Sequence, residues 1–143
     1  MPESTASNDR TSSEAPEKRF PLRRWSVLHG VSRDPDAPSP PGDWPGLHCF
    51  ARTPEETSTV GPWIEGDETA MGPYRAWSVP GPLAPTLVGV LAGFLDPLRN
   101  AGISVLAIST HDTDWLLVSA NQAEAAEAAW SEAGISIEDA IQD

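Results

Sequence analysis

Residues 110–114 read THDTD, an imidazole and two carboxylates within four positions, between the apolar runs ISVLAIS and WLLVS. Three kinds of chemistry suit such a set: ligation of a divalent ion, proton transfer, or capture of a cationic ligand group. Zinc would require further histidine or cysteine ligands. His29 and His48 lie far off in the chain without ligand spacing, and Cys49 is the single cysteine. Calcium would require a longer string of oxygen donors and a turn glycine. For acid–base work, Asp112 and Asp114 are two positions apart, but a hairpin turn between two strands separates their directions. Neither a serine nucleophile elbow nor a glycine-rich phosphate loop accompanies them. Cys49 next to His48 reads as a small apolar residue beside a polar one, not as a reactive pair. The residues therefore point away from an enzyme, and no metal or cofactor is expected; an enzyme using Asp112 and Asp114 remains the lesser alternative. Asp and Thr also favour tight turns by bonding their own backbone, which accounts for Asp112. Asp114 differs, because a carboxylate at the mouth of an apolar strand needs donors or a cation to answer it.

The elements that would position this knot follow from periodicity. YRAWSV (74–79) reads as a strand ended by PGP. In LAPTLVGVLAGFLDPLRNAG, apolar residues at 87, 91, 94, 95 and 98 mark one helical face. Pro82 and Pro85 suit a first turn, Pro97 strains the last, and Gly102 stops the helix. Gly89 and Gly93 could let that helix approach a neighbour closely. ISVLAIS (103–109) has the composition of a central buried strand, and WLLVS (115–119) that of its neighbour. NQAEAAEAAWSEAG is a second helix, with Asn121 and Glu124 spaced as a capping box. Both helices end in the same four letters, AGIS at 101–104 and at 133–136. From 74 onward the order is thus β-α-β-β-α-β, an α+β pattern of the ferredoxin-like kind.

The first half is less regular. Residues 1–20 are poor in apolar side chains and are expected to be a disordered tail. WSVLHGV (25–31), LHCFART (47–53) and TSTVGPWI (57–64) read as strands, the last two separated by a helical turn at TPEE. Of the six tryptophans, most are expected in the core or at a seam, with Trp115 beside Asp114 a candidate pocket wall.

Charge narrows the partners. Of 143 residues, 21 are acidic and nine basic; five of the basic ones fall in residues 1–24. The folded body therefore lacks the Lys/Arg cluster that a phosphate backbone or anionic membrane requires. No run approaches the ~20 apolar residues of a membrane helix, and the N-terminus has no signal-peptide apolar region, so a cytoplasmic location is expected.

The run AGISVLAISTHDTDWLLV, preceded by LAPTLVGVLAGFLDPL, resembles the small bacterial proteins of the ACT-domain superfamily. It is most similar to the subgroup that shares its ACT module with the animal cytosolic arginine sensors. RTPEE at 52–56 and GPL at 81–83 resemble landmarks of the same subgroup, and the likeness spans residues 25–137. It implies two ACT-like modules, a truncated one over 21–73 packed with an ACT domain over 74–143. It implies a regulatory or sensor protein that binds a small molecule, usually an amino acid. The matching ligand-side positions are Thr110, His111, Thr113 and Asp114 on the strand side, with Ala84, Leu87 and Val88 on the helix side. The arginine sensors carry an acid where this chain has Leu87, so the resemblance implies a neutral amino acid. A homodimer or a separate regulated partner protein is expected, since sheets of this kind expose edge strands. A ligand-free protein-interaction module is the other alternative.

Overall fold

The structure is a computed structural model and describes residues 20–34, 36–37 and 39–140. All but the last residue of the expected disordered tail lies outside the described residues. Among the described residues, seven strands and two α-helices are formed: β1 (Leu22–Ser32), β2 (Cys49–Arg52), β3 (Thr57–Pro62), β4 (Met71–Ser78), α1 (Val90–Asn100), β5 (Leu106–Ser109), β6 (Asp114–Ser119), α2 (Ala123–Glu132) and β7 (Ile137–Asp139). A 3-10 turn, Ala120–Gln122, leads into α2. They build one seven-stranded sheet in the order β2-β3-β1-β4-β6-β5, with β7 parallel to the first residues of β1. All other pairings are antiparallel. This is a mixed fold with two helices and a largely antiparallel sheet, consistent with the ferredoxin-like pattern. One detail departs from that pattern: β1 lies between β4 and β7, so the last strand joins β1 (Leu22 opposite Ile137) and not β4.

The alternation of side chains divides the core. Trp77, Val79, Leu116 and Val118 point to the helix side and pack with Phe94 and Leu98 of α1 and Ala126 and Trp130 of α2. Ala76 and Leu117 point to the other side and meet Leu47 and Val60, with Tyr74, Leu106 and Trp115 at the margin. The Trp130 indole crosses between helices to donate to the Phe94 carbonyl at 2.8 Å. Trp77 and Trp130 meet edge to face, with ring centres 4.9 Å apart.

Several elements differ from their sequence expectation for identifiable reasons. The first helix begins at Val90, not in the eighties, because Gly89 takes a left-handed φ of 79° that interrupts any helical path from Pro85. A β-carbon on Gly93 would touch nothing within 4 Å, so the two glycines do not serve close packing. Thr53–Glu56 is a hairpin turn rather than a helical turn, with the Thr53 hydroxyl accepting the Glu55 and Glu56 amides at 3.1 Å. β5 is the outer edge strand and not a central one; its composition is apolar because alternate residues pack on β6 and the core margin. Asn121 makes no capping box, since the chain enters α2 through the 3-10 turn and the N-cap is Gln122, without a side-chain bond.

The repeated AGIS, by contrast, marks the same structure twice. Gly102 (φ 75°) and Gly134 (φ 86°) end their helices, and Ile103 and Ile135 each donate back to a helix carbonyl at 2.9 Å (Leu98 and Trp130). Such a left-handed stop satisfies carbonyls that the helix end would leave bare.

His29 is fully buried on the far side of the sheet, its ring 5.0 Å from that of Trp44. Its Nε2 accepts the Leu47 amide at 2.9 Å, so the neutral ring carries its proton on Nδ1. Burial pushes its pKa down to about 4, against a smaller opposing pull from the Val27 backbone. The unfolded chain therefore takes up a proton more readily than the folded one as pH falls below the ordinary histidine value. Stability should be full above about pH 6.5, decline toward pH 4 by at most about 3 kcal/mol, and level off below. Urea titrations from pH 7.5 to 4 should show this slope, and the His29→Gln protein should lose that part of it.

Candidate functional site

The THDTD knot is the turn of the β5–β6 hairpin. Ser109 and Asp114 are its last paired residues. The Thr110 amide donates to the Thr113 carbonyl at 2.8 Å, and the Thr110 hydroxyl accepts the Thr113 amide at 3.3 Å. Thr110, not Asp112, thus supplies the side chain that makes the turn.

A second segment clamps the knot. The Leu83 amide donates to the Asp112 carbonyl at 2.7 Å and the Val79 amide to the Asp114 carbonyl at 3.1 Å. The Thr113 hydroxyl donates to the Val79 carbonyl. GPL at 81–83 is therefore the strap over the hairpin. Gly81 sits so close that a β-carbon there would come within 2.7 Å of the Asp112 carbonyl oxygen.

Between the strap, the start of α1 and the hairpin lies an open cleft of about 530 Å³. Six of the seven residues expected around a ligand line it: Ala84, Leu87, Thr110, His111, Thr113 and Asp114. Val88 does not; it is 94% exposed and points away, since the left-handed turn at Gly89 follows it directly. Trp115 does not wall the cleft either. Strand alternation sends it to the opposite face, where it stacks on Trp25 at 5.1 Å.

The cleft's polar groups fall into two sets. On the hairpin, the Asp114 carboxylate accepts the Ser109 hydroxyl at 2.7 Å. The exposed His111 turns its Nδ1 to the Asp112 carboxylate at 2.7 Å. On the helix, α1 starts without a side-chain cap and without an acid in its first turn. The first intrahelical bond from this end runs from the Gly93 amide to the Gly89 carbonyl at 3.0 Å. The amides of Val90, Leu91 and Ala92, three residues of the cleft's lining, thus have no intrahelical acceptor and carry the positive end of the helix dipole. Ser109 and these first-turn residues escaped the sequence reading. Serine in an apolar strand carries no signal, and a helix start placed in the eighties hid which amides are free. Among the described residues, no cluster of three or more His, Cys, Asp or Glu side chains could hold a metal ion.

Comparison with known proteins bears on the fold. Residues 72–132 match the family model of the ACT domain. The match spans a little under half of the chain and makes that segment similar to an ACT domain. The matched segment contains α1, the hairpin and the whole cleft. Among solved structures, an Agrobacterium tumefaciens protein is similar at 27% identity and a TM-score of 0.71, over 87% of this chain and 96% of that one. A Vibrio cholerae protein of unknown function, described as a possible transport protein, shares the fold at 18% identity and a TM-score of 0.61, over 78% and 88% of the two chains. No curated protein matches the chain. No helix among the described residues is long and apolar enough to cross a membrane.

The Gly81→Ala protein should be destabilised by roughly 1–3 kcal/mol, because the strap must move off the hairpin. Hydrogen exchange should then show the Leu83 and Val79 amides opening faster while amides of α2 keep their protection.

Proposed function

We propose that the protein is a non-catalytic sensor or regulatory module whose cleft binds a neutral α-amino acid. The observation that carries this reading is the meeting of the Asp114 carboxylate and the uncapped start of α1 on one cleft. An amino acid's ammonium group would answer Asp114, and its carboxylate would take the free amides of the first turn. Leu83, Leu87, Val90 and Leu91 give the side chain apolar walls. The cleft's other ionisable groups, His111 and Asp112, face each other, so no acid is left over for a basic side chain.

The wider setting belongs to the same reading. Residues 21–73 act as a truncated ACT-like module that lends its strands to the sheet of the ACT region, 74–143. The protein works in the cytoplasm, as a homodimer or against a separate regulated partner. The half-exposed Leu87 and fully projecting Val88 at the cleft's lip would meet that partner.

A thermal-shift screen with the twenty amino acids tests the ligand. At a hundredfold excess over its dissociation constant the right one should stabilise the protein by about 2.7 kcal/mol, and Asp114→Ala should remove that shift. No shift with any amino acid would end this reading.

A further inference from the structure

β4 and β6 run antiparallel, and each leads into a helix, β4 into α1 and β6 into α2. The start of each strand therefore lies beside the end of the other, under the first turn of the other's helix. Asp114 stands opposite Val79, just past the end of β4, where its carbonyl accepts the Val79 amide and fixes the register. Arg75 stands opposite Val118 near the end of β6. Alternation puts both side chains on the helix side, with Leu116 and Val118 in one strand and Trp77 and Val79 in the other. Arg75 thus occupies in the second half the position that Asp114 occupies in the first. A groove is present there too, of about 300 Å³, lined by Arg24, Ser26, Arg75, Trp77, Glu124 and Glu127.

Most charges of this groove are already answered. Arg24 grips Glu127 with two bonds of 2.7 Å and Asp139 with one of 2.6 Å, and the Trp77 indole adds a bond to Glu127 at 2.8 Å. Arg75 gives one bond, to the Ser26 carbonyl at 2.8 Å, which steadies its guanidinium without neutralising it. Neither Arg75 nor Glu124 has an ion-pair partner among the described residues.

We propose that this groove is a second small-molecule site, which takes an α-amino carboxylate with its carboxylate on Arg75 and its ammonium on Glu124. A planar guanidinium with spare donors suits a carboxylate, and the buried Trp77 forms the floor. The site shares no residue with the Asp114 cleft and does not depend on that cleft's ligand.

The test uses the full chain, isotopically labelled, with Asp114→Ala introduced to silence the first cleft. Glycine, acetate and ethylamine are titrated while the amide and indole signals are followed. Glycine should give saturable shifts at Arg75, Trp77, Ala123 and Glu124. Arg75→Gln should weaken both glycine and acetate at least tenfold. Glu124→Gln should weaken glycine by a similar factor while leaving acetate unchanged. The Glu124→Gln arm carries the test alone if Arg75→Gln does not fold. No saturable shift at the groove overturns the proposal, as does glycine binding that neither substitution weakens. Binding of acetate with no preference for glycine also overturns it, since the groove would then be a simple anion site.

Discussion

The antiparallel pairing of β4 with β6 is the contact on which the rest of the molecule depends. Its five partner pairs, Tyr74 with Ser119 through Ser78 with Trp115, join the two strands that lead into α1 and α2. One register decides which residues form the helix-side core and which form the back. A slip of β4 by one residue would turn Trp77 outward and bring Ala76 under the helices, against a β6 whose Leu116 still faces them. The same register sets Asp114 beneath α1 and Arg75 beneath α2. Core and cleft are therefore specified by one decision.

The C-terminal half was legible because its signals are redundant. Helical periodicity, the two AGIS stops and the apolar β-branched strands all give the same element order, and both glycines do adopt left-handed conformations. The grouping of most of the expected ligand-side residues was legible too, because they flank one hairpin and one helix start. What failed was long-range or conformational. Nothing local in ISVLAIS distinguishes an edge strand from a central one, since its apolar side chains serve the core either way. The late start of α1 rests on a single left-handed residue, Gly89, in a stretch whose letters otherwise favour a helix. Trp115 was misplaced because its neighbour in sequence, Asp114, lies on the other face of the sheet, as strand alternation demands.

Electrostatics divides the molecule differently from composition. The chain is strongly acidic, yet its arginines are placed where they organise it. Arg24 joins β1, α2 and β7 through Glu127 and Asp139, and the Trp77 indole shares the same carboxylate. The pairing holds the Glu127 carboxyl below the usual range, against the opposing effect of burial. Part of this cluster is open to solvent, so its bonds fix the angle of α2 on the sheet more than they add to stability.

The position of β1 has a consequence for what constitutes a folding unit. The segment that carries the ACT-domain likeness, 72–132, contains neither β1 nor the strand β7 that pairs with it. Cut from the chain at residue 72, it would present the whole hydrogen-bonding edge of β4 to water. Leu22, fully buried among the helix-side residues, would be missing from the core. The segment that carries the likeness and the unit that the physics requires to close are thus of different lengths. The N-terminal strand is a structural cofactor supplied in cis, and the two halves of the chain should melt as one cooperative body.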